Sequence, residues 1–160
     1  MLVAFEELPE TARVWVYQAN RKLTKEEQSS IDIKSSQFLE QWAAHGAPLK
    51  SSFQILHDQF LVISVDEGFN AASGCSIDSS VGLIRDLQSE FSIDFFDRTK
   101  ICFLKDNEVF GAPMTELKSL IADGQIEDST LTFNNLVQNI QEFKNNWVVP
   151  AKESWIKRYF

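Results

Sequence analysis

Cys75 and His45 are the residues of this chain whose types are able to make a nucleophile and its base. Cys75 lies in the stretch Asn70-Ala-Ala-Ser-Gly-Cys-Ser-Ile-Asp-Ser-Ser80, between a strongly apolar run, Phe60–Val65, and a helix-like one, Val81–Phe91. A chain turning there from strand into helix points unpaired backbone N–H groups outward and carries the positive end of the helix dipole. That geometry suits an anion held by Asn70, Ser73, Gly74, Ser76 and Asp78, or a thiolate on Cys75. A thiolate at a helix start beside a histidine is the skeleton of a thiol nucleophile, with His45 as the candidate base. Each residue also has a plainer use. Ser and Asp cap helices and close turns, a small Cys packs under a turn, and His is favoured near a helix C-terminus. Asp78 repels a phosphate. Capping and packing are the stronger reading of both sets.

Other chemistry has less to stand on. His45 and His57 are far apart, no paired Cys motif or His-x-x-x-His occurs, and no carboxylate is marked out as a third ligand, so no metal and no cofactor is expected. Asp94 and Asp97 with Arg98 make a carboxylate pair, which a solvated loop with a local ion pair explains at lower cost. The formal charge of −8 argues against nucleic acid and against an anionic membrane surface, both of which reward clustered Lys and Arg. Two cysteines make a poor disulfide framework, and the N-terminus reaches acid within six residues without a basic leader. With no apolar run near the roughly 20 residues a membrane helix needs, a cytoplasmic protein is expected. At 160 residues and 44% apolar content the chain suits one domain, 1–160, with a proper core.

The elements that must position Cys75 and His45 follow from periodicity and punctuation. Arg13-Val-Trp-Val-Tyr17 alternates as a strand. Thr24-Lys-Glu-Glu27 has the capping-box spacing and opens a helix that buries Ile31, Phe38, Leu39 and Trp42 and stops at His45-Gly46. Ser52–His57 and Phe60–Val65 form a hairpin about Asp58-Gln59. Ile77, Val81, Ile84, Leu87 and Phe91 stripe a second helix, in which Gly82 predicts close packing. Thr99–Leu104 and Glu108–Phe110 make another hairpin, Met114–Ala122 a short helix, and Thr130–Phe133 a strand. Asn134 is a fitting N-cap for a last helix carrying Leu136, Val137, Ile140 and Phe143.

The resulting order predicts an α+β fold, a ferredoxin-like βαββαβ antiparallel sheet with a C-terminal extension of helices and a hairpin. In that plan His45, Asp66 and the Cys75 loop share one sheet edge. The tail, Ser154-Trp-Ile-Lys-Arg-Tyr-Phe160, predicts a helix docked on the open sheet face, or else a partner-binding patch.

Four segments carry a resemblance: Trp15-Val-Tyr-Gln-Ala-Asn-Arg21, the Asn70–Ser80 stretch, Phe133-Asn-Asn-Leu-Val137 and Val149-Pro-Ala-Lys-Glu-Ser-Trp155. Together they resemble a small bacterial family of this chain length, usually labelled "ABC transporter ATPase". The label is all that the resemblance implies. The residues point away from ATP, because a cassette ATPase cradles phosphates with G-x-x-x-x-G-K-[ST], and no Gly-Lys pair occurs in this chain. The sequence therefore predicts a non-enzymatic α+β module that binds a protein or a small anionic ligand at the 70–80 loop. The alternative is an enzyme dependent on Cys75. A homodimer through a free edge strand or the aromatic tail is a further expectation.

Overall fold

Phe60–Val65 is apolar at all positions but one. In the computed structural model of the chain, which describes residues 1–160, every residue of this strand, β5, is buried. It is the middle of an antiparallel sheet between β1 (Arg13–Gln18) and β4 (Ser51–Leu56), with Trp15 and Phe53 both opposite Ile63. A strand buried on both faces needs apolar residues at both parities. Leu61, Ile63 and Val65 face one core, formed with Ile31 and Leu39 of α1 (Lys25–Gln41) and Leu83, Ile84 and Leu87 of α2 (Gly74–Phe91). Phe60 and Val62 face a second core with Val14, Cys102, Phe133, Phe143 and Trp147.

The α+β class of the sequence reading is what the chain adopts, with both long helices on one face of the sheet. The strand expected to complete that sheet does something else. β6 (Lys100–Lys105) joins β7 (Glu108–Pro113), β8 (Leu131–Phe133) and β9 (Val148–Pro150) in a separate antiparallel sheet of order β7-β6-β8-β9. Its residue pattern explains the departure. Cys102 faces the core shared with β5, while Ile101 and Phe103 face a third core with Ala112, Leu117, Ile126, Ala151 and Ile156. Asp106 and Asn107, both left-handed, close the β6–β7 hairpin in a two-residue turn. The second sheet is thus covered on its far side by α3 (Leu117–Ala122) and the C-terminal tail.

Local chemistry accounts for the helix ends. Thr24 and Glu27 form the expected capping box, and Arg21 pairs with Glu27 at 2.7 Å. The guanidinium, with the helix-start donors, holds the Glu27 carboxyl down to about 2. Several of these features differ from the expectations above. Helix α1 stops at Gln41, because Ala43–Ala44 (β2) and Ala47–Pro48 (β3) form a small hairpin whose turn is His45-Gly46, both at positive φ. The β4–β5 turn is centred on left-handed His57 and Asp58, while Gln59 is buried and its Nε2 donates to the Ala19 carbonyl at 3.0 Å. The last helix, α4 (Ile140–Asn146), is capped by Asn139, whose Oδ1 accepts from the Glu142 N–H at 2.8 Å. Asn134 instead accepts from Leu136 N–H, closing a turn at 3.2 Å. The tail is a 3₁₀ helix, Trp155–Tyr159, docked through Ile156 on the second sheet rather than the first.

Gly82 also departs from expectation, since a Cβ there would meet nothing within 4 Å. With a helical backbone and open space, Gly82→Ala is expected to raise the unfolding free energy by about 1 kcal/mol. A urea midpoint that falls would show that α2 needs the glycine.

Candidate functional site

The 70–80 loop is built as a helix cap. Ser73 is the N-cap of α2, its Oγ accepting from Ser76 N–H at 3.1 Å while Ser73 N–H donates to Ser76 Oγ at 2.8 Å. Ser76 Oγ in turn donates to the Ser73 carbonyl at 2.8 Å, and Ser79 Oγ to the Cys75 carbonyl at 2.9 Å. Asn70 is spent on the Pro48 carbonyl at 2.8 Å, tying the loop to β3. The first-turn amides of Gly74 and Cys75 are the donors left without a partner. Cys75 and Asp78 are exposed. His45 is exposed in the β2–β3 turn, and β2 lies against α2, pinned by Trp42 Nε1 donating to the Ser76 carbonyl at 2.8 Å. No hydrogen bond reaches the Cys75 thiol or the His45 ring. Cys102, by contrast, is buried between the sheets, and desolvation pushes its thiol up to about 12.

A larger concavity than that cap lies elsewhere. A cleft of about 940 Å³ runs along the outer edge of β1, between the Phe95–Lys100 segment and the Phe133–Asn139 loop, with Trp155 on its rim. It exists because β6 leaves the first sheet. In β1 the odd residues pair with β5, so the N–H and C=O groups of Val14, Val16 and Gln18 point outward. Val14 N–H donates to the Gln138 carbonyl at 3.0 Å, and Ile140 N–H donates to the Ala12 carbonyl at 3.0 Å. Beyond that short pairing nothing meets the edge. The Val14 carbonyl, both backbone groups of Val16 and the Gln18 N–H face the cleft unpaired.

A polar chain fixes the two walls. Trp147 Nε1 donates to Asn135 Oδ1 at 3.0 Å, Asn135 Nδ2 to Gln18 Oε1 at 3.1 Å, and Gln18 Nε2 to the Lys100 carbonyl at 3.0 Å. Lys100 Nζ continues to the Asn20 carbonyl at 2.9 Å, and Asn20 clamps Asp94 through both its amide and its side chain. The two links through Gln18 tie β1 to the Asn135 loop and to β6, and those through Asn20 tie the segment after β1 to Lys100 and Asp94. Asn20 and Asn135 thereby acquire a role that the residue pattern of Trp15–Arg21 and Phe133–Val137 could not specify. Three exposed apolar side chains line the same cleft: Phe96, Leu136 and Trp155, the last 45% exposed. Arg98 is exposed with no ionic partner, whereas Arg13 is held by Glu67 at 3.2 Å and Asp97 by the Thr99 hydroxyl at 2.6 Å.

Reading along the chain misses this site because its walls are joined only in space. The available signal was the polar run Asn134-Asn135; Leu136, expected on the last helix, instead lies exposed in the loop before it. No His, Cys, Asp or Glu residues are gathered in a group of three suited to a metal ion, and no helix is long and apolar enough to cross a membrane. No protein family, curated protein or solved structure matches the chain, so the cleft and the α2 cap are what its function has to be argued from.

Proposed function

We propose that this chain is a non-enzymatic binding module that takes its ligand in the cleft beside β1. The reading treats the first sheet as ferredoxin-like in order, β1-β5-β4, with the position of a fourth strand left open as the ligand site. Its main support is the outward row of unpaired backbone groups from Val14 to Gln18 inside a concavity of about 940 Å³. Backbone groups in a cleft cost stability unless water or a ligand satisfies them, and a mostly apolar cleft with a few fixed polar groups is the usual form of a binding site. The polar chain through Gln18 and Asn135 supports the same reading, because it holds the walls apart at a set distance. An anion at the start of α2 is the lesser reading, since the serine hydroxyls there are already bonded within the cap. No phosphate-cradling Gly-Lys loop is present to support ATP hydrolysis.

Titrating ¹⁵N-labelled protein with a library of small fragments tests the site. The expected result is that shifts concentrate at Trp15–Gln18, Phe96–Lys100 and Asn134–Gln138. Shifts gathered instead on the 70–80 loop would overturn the cleft in favour of the anion site. Alkylation of Cys75 faster than that of free cysteine, and slowed by His45→Ala, would overturn the non-enzymatic reading.

A further inference from the structure

We infer that the ligand is an extended segment of a partner protein that adds to β1 as a strand, with a carboxylate set against Arg98. The inference rests on the cleft being the binding site and names what enters it. A small molecule satisfies one or two backbone groups. The edge of β1 offers an acceptor on Val14, a donor and an acceptor on Val16 and a donor on Gln18, at the two-residue period of a ladder. The same edge is already used as a ladder at its start, where Gln138 and Ile140 pair with Val14 and Ala12. An added strand continues that pairing. Its length is bounded at one end by Gln138 and at the other by Lys100, whose carbonyl is held by Gln18. That leaves room for about five residues at about 3.4 Å each.

Side chains of the added strand alternate between two walls. One set meets Phe96, which packs edge-to-face on Tyr17 with ring centroids 6.1 Å apart. The other meets Leu136 and Trp155. Both walls are exposed apolar surface, so the segment carries apolar residues on both of its faces. Charge sets the remaining requirement. In a chain of formal charge −8, Arg98 is a cation at the cleft with no carboxylate on it, so an acidic end is attracted where the rest of the surface repels it. Strand addition of this kind takes affinity from main-chain hydrogen bonds and specificity from alternate side chains.

The test starts from a displayed library of random ten-residue peptides selected on the full chain, followed by synthesis of the winning sequence. Its binding is expected to slow hydrogen exchange at Val16 and Gln18. N-methylation of alternate peptide residues is expected to abolish binding in one register and be tolerated in the other. Arg98→Glu is expected to weaken the peptide by about tenfold or more, the loss of one charge-assisted contact. Val16→Pro removes an outward donor while leaving the β5 pairing of Trp15 and Tyr17, and is expected to weaken binding with the fold intact by circular dichroism. Binding that leaves exchange at Val16 and Gln18 unchanged but shifts Phe96 and Trp155 would overturn strand addition and keep the cleft. A library without any binder would overturn the peptide as ligand, with the fragment titration deciding the cleft separately. Protection of Val16 that rises with protein concentration alone would make a second copy the occupant and overturn the partner segment.

Discussion

Phe60→Ala is expected to lower the unfolding free energy by about 4 kcal/mol, the middle of the range for deleting a buried aromatic ring. Phe60 is fully buried at the start of β5, on the face turned to the second sheet. Its ring lies 4.6 Å from Phe133 and 5.1 Å from Trp147, centroid to centroid, so it touches both β8 and the end of α4. His57 covers the cluster from the β4–β5 turn, 5.6 Å from Phe133 and 5.9 Å from Trp147. The side chain is therefore a joint between the two sheets rather than part of one of them. A domain of this size is stable by about 5–15 kcal/mol, so the loss is a large fraction of the whole. Phe60→Leu keeps most of the volume and is expected to cost under about 1.5 kcal/mol. Urea unfolding followed by tryptophan fluorescence and by far-ultraviolet circular dichroism checks both variants. A Phe60→Ala midpoint close to wild type would mean that the second sheet is seated without this cluster. The consequence reaches the cleft, because one of its walls is the sheet that Phe60 anchors.

The parts of the fold that were legible in the sequence are those decided by local chemistry. The Thr24–Glu27 capping box, the alternation of Arg13–Tyr17 and the double-faced run Phe60–Val65 are each set by near neighbours, and the β1-β5-β4 pairing follows from them. The destination of β6 was not legible. Ile101, Cys102 and Phe103 read as a buried strand in either sheet, and the choice depends on Leu117, Ile126 and Ile156 coming back to cover it. β9 escaped because Val148–Pro150 is short and contains a proline, which a strand next to only one neighbour tolerates. The cap expected at Asn134 falls instead at Asn139, whose Oδ1 accepts from the Glu142 N–H once the helix starts at Ile140. The candidate site shows the same limit. In the 70–80 loop hydroxyls cluster at a helix start, and they serve the helix itself. The cleft joins Gln18, Lys100 and Asn135, which no sequence window contains. Yet the segments around Trp15, Phe133 and Trp155, far apart in the chain, meet at that cleft. Their residues were visible; their meeting was not.

Asn135→Leu tests that meeting directly, with an expected loss of about 2 kcal/mol. Trp147 is 6% exposed, and Asn135 Oδ1 is the partner of its indole N–H. Leucine fills similar space and leaves that donor buried without an acceptor, which costs more than the hydrogen bond was worth. The same substitution frees Gln18 Oε1, and with it the grip of Gln18 Nε2 on the Lys100 carbonyl. If the chain from Trp147 to Lys100 acts as one unit, Gln18→Ala and Asn135→Ala will not add. The double variant is expected to lose about 1 kcal/mol less than the sum of the singles, a coupling typical of residues in one network. Fluorescence separates this from ordinary loss of packing, because an unpaired Trp147 that draws in water emits at longer wavelength before the chain unfolds. Additive losses with no change in emission would mean that the two walls are held by apolar packing alone. Non-additive losses, together with a weaker peptide or fragment at the cleft, would identify Asn135 as the residue that sets the spacing between β1 and the second sheet.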